Sequence, residues 1–175
     1  VVLVKEKRGT ANRSLRFWGT IRTFPRRFRR FLVGAGIFGF GDVAPTLLIL
    51  AATQLLTPEF GVVRAAQLAG LMYVVRNVTY ALASLPIGAL SDRISRTRLL
   101  AAGYFVGVVT IGGFALAFVF AWSDPGILFL LFALAGIFIA AEDTLESAVT
   151  ADLIPAETRG IGMGVLGTVN GVGDL

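Results

Sequence analysis

Four long apolar stretches, each closed by a short charged or Pro/Gly-containing turn, leave this chain one environment to fold in. They run over 31–56, 68–90, 99–121 and 126–141, and a fifth opens at Gly160. A helix needs about 20 residues to cross the hydrocarbon core of a bilayer, so stretches of this length read as spans. Hydrophobic residues make up 55% of the 175 and charged ones 15%, with a mean hydropathy of +0.78. A soluble domain of this size has no core large enough to bury them, whereas lipid does. No strand alternation points to a barrel. The expected fold is all-α: a polytopic transmembrane bundle of four spans and a truncated fifth over 31–175, preceded at 1–30 by the end of an earlier helix and a basic loop.

The missing residue types exclude several chemistries. There is no cysteine and no histidine, so disulfide frameworks, thiolate or imidazole zinc sites and Ser-His-Asp catalysis have no ligands or base to work with. No phosphate-binding glycine loop of the GxxxxGK[ST] kind occurs either. No cofactor and no enzymatic activity are expected. The opening Val1-Val2-Leu3-Val4 without a Met, and the stop at Asp174-Leu175 within a glycine-rich run, lead to the expectation that the chain is a piece of a longer one.

Charge sets the orientation. Residues 5–30 hold ten of the sixteen Lys and Arg, the turn at 91–98 three more and the loop at 152–159 one, while the opposite side carries only Arg64. The positive-inside rule places 5–30, 91–98 and 152–159 in the cytoplasm. Basic residues interleaved with Phe17, Trp18, Phe24 and Phe28 also fit a nucleic-acid patch, but a cytoplasmic loop beside anionic headgroups explains them better, and no nucleic-acid partner is expected. Phe17, Ile21, Phe24 and Phe28 recur at helical spacing, as in an amphipathic helix lying along the membrane surface, with Pro25 starting or breaking it.

The turn at 88–100 joins two spans and gathers Asp92, Arg93, Arg96 and Arg98 at one membrane face. Gly88 allows helices to approach closely, Asp92 suits the positive end of a neighbouring helix, and the three arginines suit acids across the same face. Glu142, Asp143 and Glu146, read as the charged cytoplasmic end of the fourth span, share a helical face. They are the expected partners in a gate-like cluster. The plain alternative is that the arginines are topogenic charges only.

The stretch Gly88, Leu90, Asp92, Arg93, Arg96, Leu100 resembles the cytoplasmic loop signature of the major facilitator superfamily, G-x-L-a-D-R-x-G-R-(R/K)-x-x-L. Ser91 departs mildly, Ser95 replaces the second glycine, and Thr97 replaces a base that Arg98 supplies one residue later. Asp152, Pro155, Arg159 and Gly160 are similar to the D-x-x-P-x-x-x-R-G loop before the eleventh family helix, and Phe31 to Asp42 to the start of the second six-helix half. The resemblance implies helices seven to ten and part of eleven, with the amino-terminal six-helix half of the same chain as partner. It also implies Asp92 docking on a helix end in that half, and transport of a small solute by alternating access.

Two charges lie inside spans. Asp42 is eleven residues into the first, ~16 Å along a helix, and Arg76 eight residues into the second, ~12 Å. Each costs ~2.5–3.5 kcal/mol on insertion scales unless paired or hydrated, so both are functional candidates. They are expected to pair across a central cavity, in a coupling role or as a static register-fixing pair. Pro45, behind Asp42, is expected to loosen the first span. Tyr73, Arg76, Asn77 and Tyr80 are expected to form one polar, aromatic wall, with Asn170 as a weaker candidate. The function these residues point to is a secondary transporter in a plasma (inner) membrane, proton coupling being open to Asp42. The rival is a non-transporting scaffold or sensor that retains the fold.

Overall fold

The computed structural model describes residues 17–39 and 44–173, with the side chains of 17, 18, 172 and 173 left aside. Its elements are α1 (Phe17–Thr23), α2 (Arg26–Gly39), α3 (Pro45–Ser91), α4 (Arg96–Val119), α5 (Pro125–Leu153), a 3-10 turn (Ala156–Thr158) and α6 (Arg159–Gly173). Among the described residues every regular element is helical. Large apolar side chains such as Val63, Leu85, Phe105 and Val119 are exposed, whereas Arg76, Glu142 and Glu146 are buried. That inversion of the soluble pattern suits lipid as solvent.

The helices start and stop where local chemistry dictates. Asp124 caps α5 by accepting a hydrogen bond from Ile127 N at 3.0 Å, with Pro125 in the first turn. At the far end Ile154 is extended (φ −121°, ψ 139°) before Pro155, as a residue preceding proline prefers. Between these points nothing breaks the helix, so α5 runs twelve residues beyond Ala141 to Leu153. Glu142, Asp143 and Glu146 therefore lie two to three turns before the helix end, with Glu142 and Glu146 buried.

The first span also differs from expectation. In place of one helix over 31–56, α2 ends at Gly39 and α3 begins at Pro45, with Ala44 extended (ψ 136°) in front of the proline. Pro45 starts a helix instead of loosening one, because its missing N–H and fixed φ fit the first turn. The turn expected at 57–61 shrinks to a single residue. Helical geometry persists through Pro58 and breaks only at Gly61, whose φ of 72° belongs to the region that glycine adopts without a Cβ penalty. The following helix consequently begins about six residues earlier than the apolar pattern indicates.

Helix α5 is the centre of the bundle. It packs along the second part of α3 on one side and antiparallel to α4 on the other, while α2 pairs with α6. Close approach to α5 is made by small residues. A Cβ on Gly103 would overlap Ala141, and one on Gly113 would overlap Leu131. The tightest crossing is at Gly136, where a Cβ would run into Thr79 Oγ1 and the backbone carbonyl of Arg76. Gly88, expected to be the close-approach glycine, leaves ordinary room: a Cβ there would meet Thr144 Cγ2 at 3.8 Å.

The amphipathic amino-terminal segment is packed against protein. Pro25 separates α1 from α2, and Phe24 and Phe28, ring centroids 5.0 Å apart, are buried with Ile154 at the α5–α6 corner. Burial of these two rings fixes which face of the segment meets the bundle.

Candidate functional site

Two polar regions emerge among the described residues, one within the bundle and one at the turns joining α3 to α4 and α5 to α6. The inner one surrounds a cavity of about 230 Å³ lined by Gly39, Pro45, Arg76, Ile139, Glu142, Asp143 and Asn170. Arg76 reaches it from α3, the two acids from one turn of α5, and Asn170 from α6. Glycine at 136 brings α3 close enough to α5 for Arg76 and the acids to share one space. The Thr79 hydroxyl, 3.2 Å from the Ala133 carbonyl, marks the same crossing.

Behind the cavity, Glu146 ties three helices together. One carboxylate oxygen accepts a short hydrogen bond from the Tyr104 hydroxyl of α4, and the other accepts from Asn170 Nδ2 of α6 at 2.6 Å. Phe38 of α2 stacks on the Tyr104 ring (centroids 4.1 Å apart, 18° between planes) and leans on Phe138. A Cβ at Gly107 would strike both phenylalanines, so that glycine makes room for the aromatic lid. One turn from Glu146, Asp143 is exposed and accepts from the Tyr80 hydroxyl at 3.1 Å, linking α5 to α3.

Arg76 is 8% exposed, and its guanidinium carbon lies 5.9 Å from the centroid of the Tyr73 ring, a cation–π arrangement. Among the described residues, Arg76 Nε and Asn170 Oδ1 are buried without a hydrogen-bond partner. Both atoms are enclosed by protein, while the same two residues line the cavity. Tyr73 lies against Arg76, and Tyr80, one turn further along α3, reaches Asp143 of α5. Asn77 is exposed instead, and its amide turns back to the Tyr73 carbonyl at 2.8 Å. Asp42, and with it the expected Asp42–Arg76 pair, lies outside the described residues.

At the α3–α4 turn the expected partners change. Arg96 binds Asp152 at 2.9 Å and Asp92 at 3.4 Å, and it does not reach Glu142, Asp143 or Glu146. The reason is length. Asp152 lies at the end of the extended α5, whereas Glu142 is ten residues earlier, ~15 Å along the axis. Among the described residues Arg93 and Arg98 form no ion pair, and the Arg93 and Ile94 amides close the turn onto the Leu90 carbonyl. Asp92 caps no helix among those residues. It is the C-terminal flank of α3, its side chain 73% exposed. Leu90 is exposed beside it.

Two members of these sites escaped sequence reading. Tyr104 stands in an apolar run and carries no charge to draw attention; only its position opposite Glu146 reveals it. Asp152 belongs to the Asp152–Gly160 stretch already noted, and the same stretch supplies Arg159, which donates to the Ala151 carbonyl at 3.0 Å and closes the α5 terminus.

A helical bundle with lipid-type exterior, glycine-mediated crossings, a charged inner cavity and an Arg-Asp turn at one end defines a polytopic membrane protein. The family model for the Major Facilitator Superfamily matches residues 31–174, and the chain belongs to that superfamily. An uncharacterized MFS-type transporter of Methanocaldococcus jannaschii is 31% identical over 176 residues, an alignment covering 98% of this chain and 42% of the relative. The chain therefore spans less than half the length of that relative. No solved structure matches.

Proposed function

We propose that this chain is the carboxy-terminal part of a secondary transporter, its inner cavity forming one wall of the path taken by a small solute. The observation that carries the reading is the cavity itself, where Arg76, Glu142, Asp143 and Asn170 from three helices line one space inside the bundle. Intramembrane charges are costly to retain, and a wall that holds both signs is suited to binding polar groups in a dry setting. The missing wall belongs to the amino-terminal half, and the two halves rock about the site in alternating access. Glu146 and Asp143, hydrogen-bonded to tyrosines rather than to arginines, join Asp42 as carboxylates able to take up a coupling proton.

The Arg96–Asp92–Asp152 cluster acts in this scheme as a cytoplasmic latch. It ties the α3–α4 turn to the end of α5 and leaves Asp92 open to a helix end in the other half. The setting is a plasma (inner) membrane, with 5–30, 91–98 and 152–159 cytoplasmic.

Solute uptake or efflux by the full-length protein in proteoliposomes tests the proposal. Arg76→Ala is expected to lower transport at least tenfold, a loss equivalent to ~1.4 kcal/mol, with the fold retained. Asp92→Asn should slow it without altering solute affinity. Glu146→Gln should remove dependence on a proton gradient. Undiminished transport by Arg76→Ala would remove the cavity from the path. A full-length protein that moves nothing with any gradient imposed would favour the scaffold or sensor reading.

A further inference from the structure

The cation-rich start of α2 has no role in the scheme above. Arg26, Arg29 and Arg30, together with Val33, line a surface groove of about 480 Å³. All three arginines are exposed, and among the described residues none of them forms an ion pair. Their placement follows from how α2 is held. Phe28 and Ala35 are buried against the α5–α6 corner and α6. With 100° per residue, Arg26, Arg30, Val33 and Ile37 fall within a narrow sector about opposite Phe28, and Arg29 lies at its border. The stripe is graded along the helix. Arginines occupy the first turn and a half; Val33, 63% exposed, and Ile37, 71% exposed, follow about 5 Å and 10 Å deeper.

We infer that this stripe is a binding site for an anionic phospholipid, its phosphate held by Arg26, Arg29 and Arg30 and its acyl chains lying along Val33 and Ile37. The charge complementarity is direct. Three guanidinium groups spaced i, i+3 and i+4 converge on one groove, and guanidinium groups bind phosphate oxygens through paired, charge-assisted hydrogen bonds. A free phosphate ion would use the arginines alone and gain nothing from the apolar residues beneath them. An amphiphile uses both ends of the stripe. Basic residues at the entry of a span lie at headgroup level, where each adds to the attraction for an acidic leaflet. The lipid would hold the start of α2 at a fixed depth, and through Phe28 the α5–α6 corner against which it packs.

Native mass spectrometry of the full-length protein, stripped of lipid and offered phosphatidylglycerol or phosphatidylcholine, tests the site. Phosphatidylglycerol should be retained in preference to phosphatidylcholine. Arg26→Gln with Arg30→Gln should reduce that retention about tenfold or more. Arg22→Gln with Arg27→Gln removes the same charge away from the stripe and should change it less than twofold. Val33→Ser with Ile37→Ser should weaken the lipid while leaving competition by inorganic phosphate unaltered. Arg26→Lys with Arg30→Lys keeps the charge and covers the case in which the glutamine pair fails to fold; intermediate retention is expected. Equal losses from both glutamine pairs would overturn the site in favour of diffuse charge. Full displacement by inorganic phosphate would overturn the lipid in favour of the free ion. Failure of the wild type to prefer phosphatidylglycerol would also overturn it, and would mean that another part of the chain covers the stripe.

Discussion

The inner network and the turn between α3 and α4 use similar residues to different ends. At the turn, Arg96 bridges Asp92 and Asp152 with both acids largely exposed. Water and salt screen such pairs, which contribute ~0–1 kcal/mol each. Inside, Glu146 meets a tyrosine and an asparagine from two other helices, with an aromatic ring stacked over the tyrosine. Removing a partner there strands a buried polar group at ~1–3 kcal/mol. The comparison separates a contact that is easily made and broken from one that holds the bundle in register. An acid's value in this protein is decided by its surroundings more than by its charge.

The largest expected effect tests the crossing that assembles the inner region. Gly136→Ala places a methyl group against Thr79 and the Arg76 backbone and should cost ~3 kcal/mol or more, seen as a fall in the unfolding midpoint in detergent. A stable Gly136→Ala protein would mean that α3 and α5 do not meet as closely as described. Glu146→Ala comes next, at ~2 kcal/mol, because Tyr104 and Asn170 both lose their acceptor. Tyr104→Phe should cost ~1 kcal/mol, and a double-mutant cycle with Glu146→Gln should give clear coupling between the two. An additive cycle would dissolve the contrast between the regions.

The smallest effect belongs to the turn. Asp152→Ala should change stability by ~0.5 kcal/mol, and the Arg96–Asp152 coupling should shrink as salt rises. A coupling above ~2 kcal/mol that is insensitive to salt would show that the turn is buried in the full-length protein, and the comparison would have to be redrawn.

Much of the fold was legible because its signals are local. The apolar stretches, the Asp124-Pro125 start of α5 and the stop before Pro155 depend on a few neighbouring residues. The turn at 88–100 and the 152–160 loop were recognisable for the same reason, and each contributes to the cluster at Arg96. The partners within the site were less accessible. Glu142, Asp143 and Glu146 were read as the ragged cytoplasmic end of a span, since their charge ends the apolar run. Helix α5 nevertheless continues to Leu153, because Glu, Asp, Thr and Ser do not break a helix whose packing supports it. Asp152, near the end of that helix, meets Arg96, whereas the earlier acids lie two to three turns back.

The sequence by itself determined that this chain is a bundle of membrane-spanning helices, because the length of an apolar run and the position of proline, glycine and basic residues act locally and through the solvent. Only the tertiary structure decided which acid meets which partner. That choice rests on helix length, rotation and the close approach that Gly136, Gly103 and Gly107 allow. Tyr104 and Glu146 are 42 residues apart in the chain and touch only because α4 and α5 pack antiparallel over glycines. Such a contact is set by geometry between helices, and no periodicity within one helix can encode it.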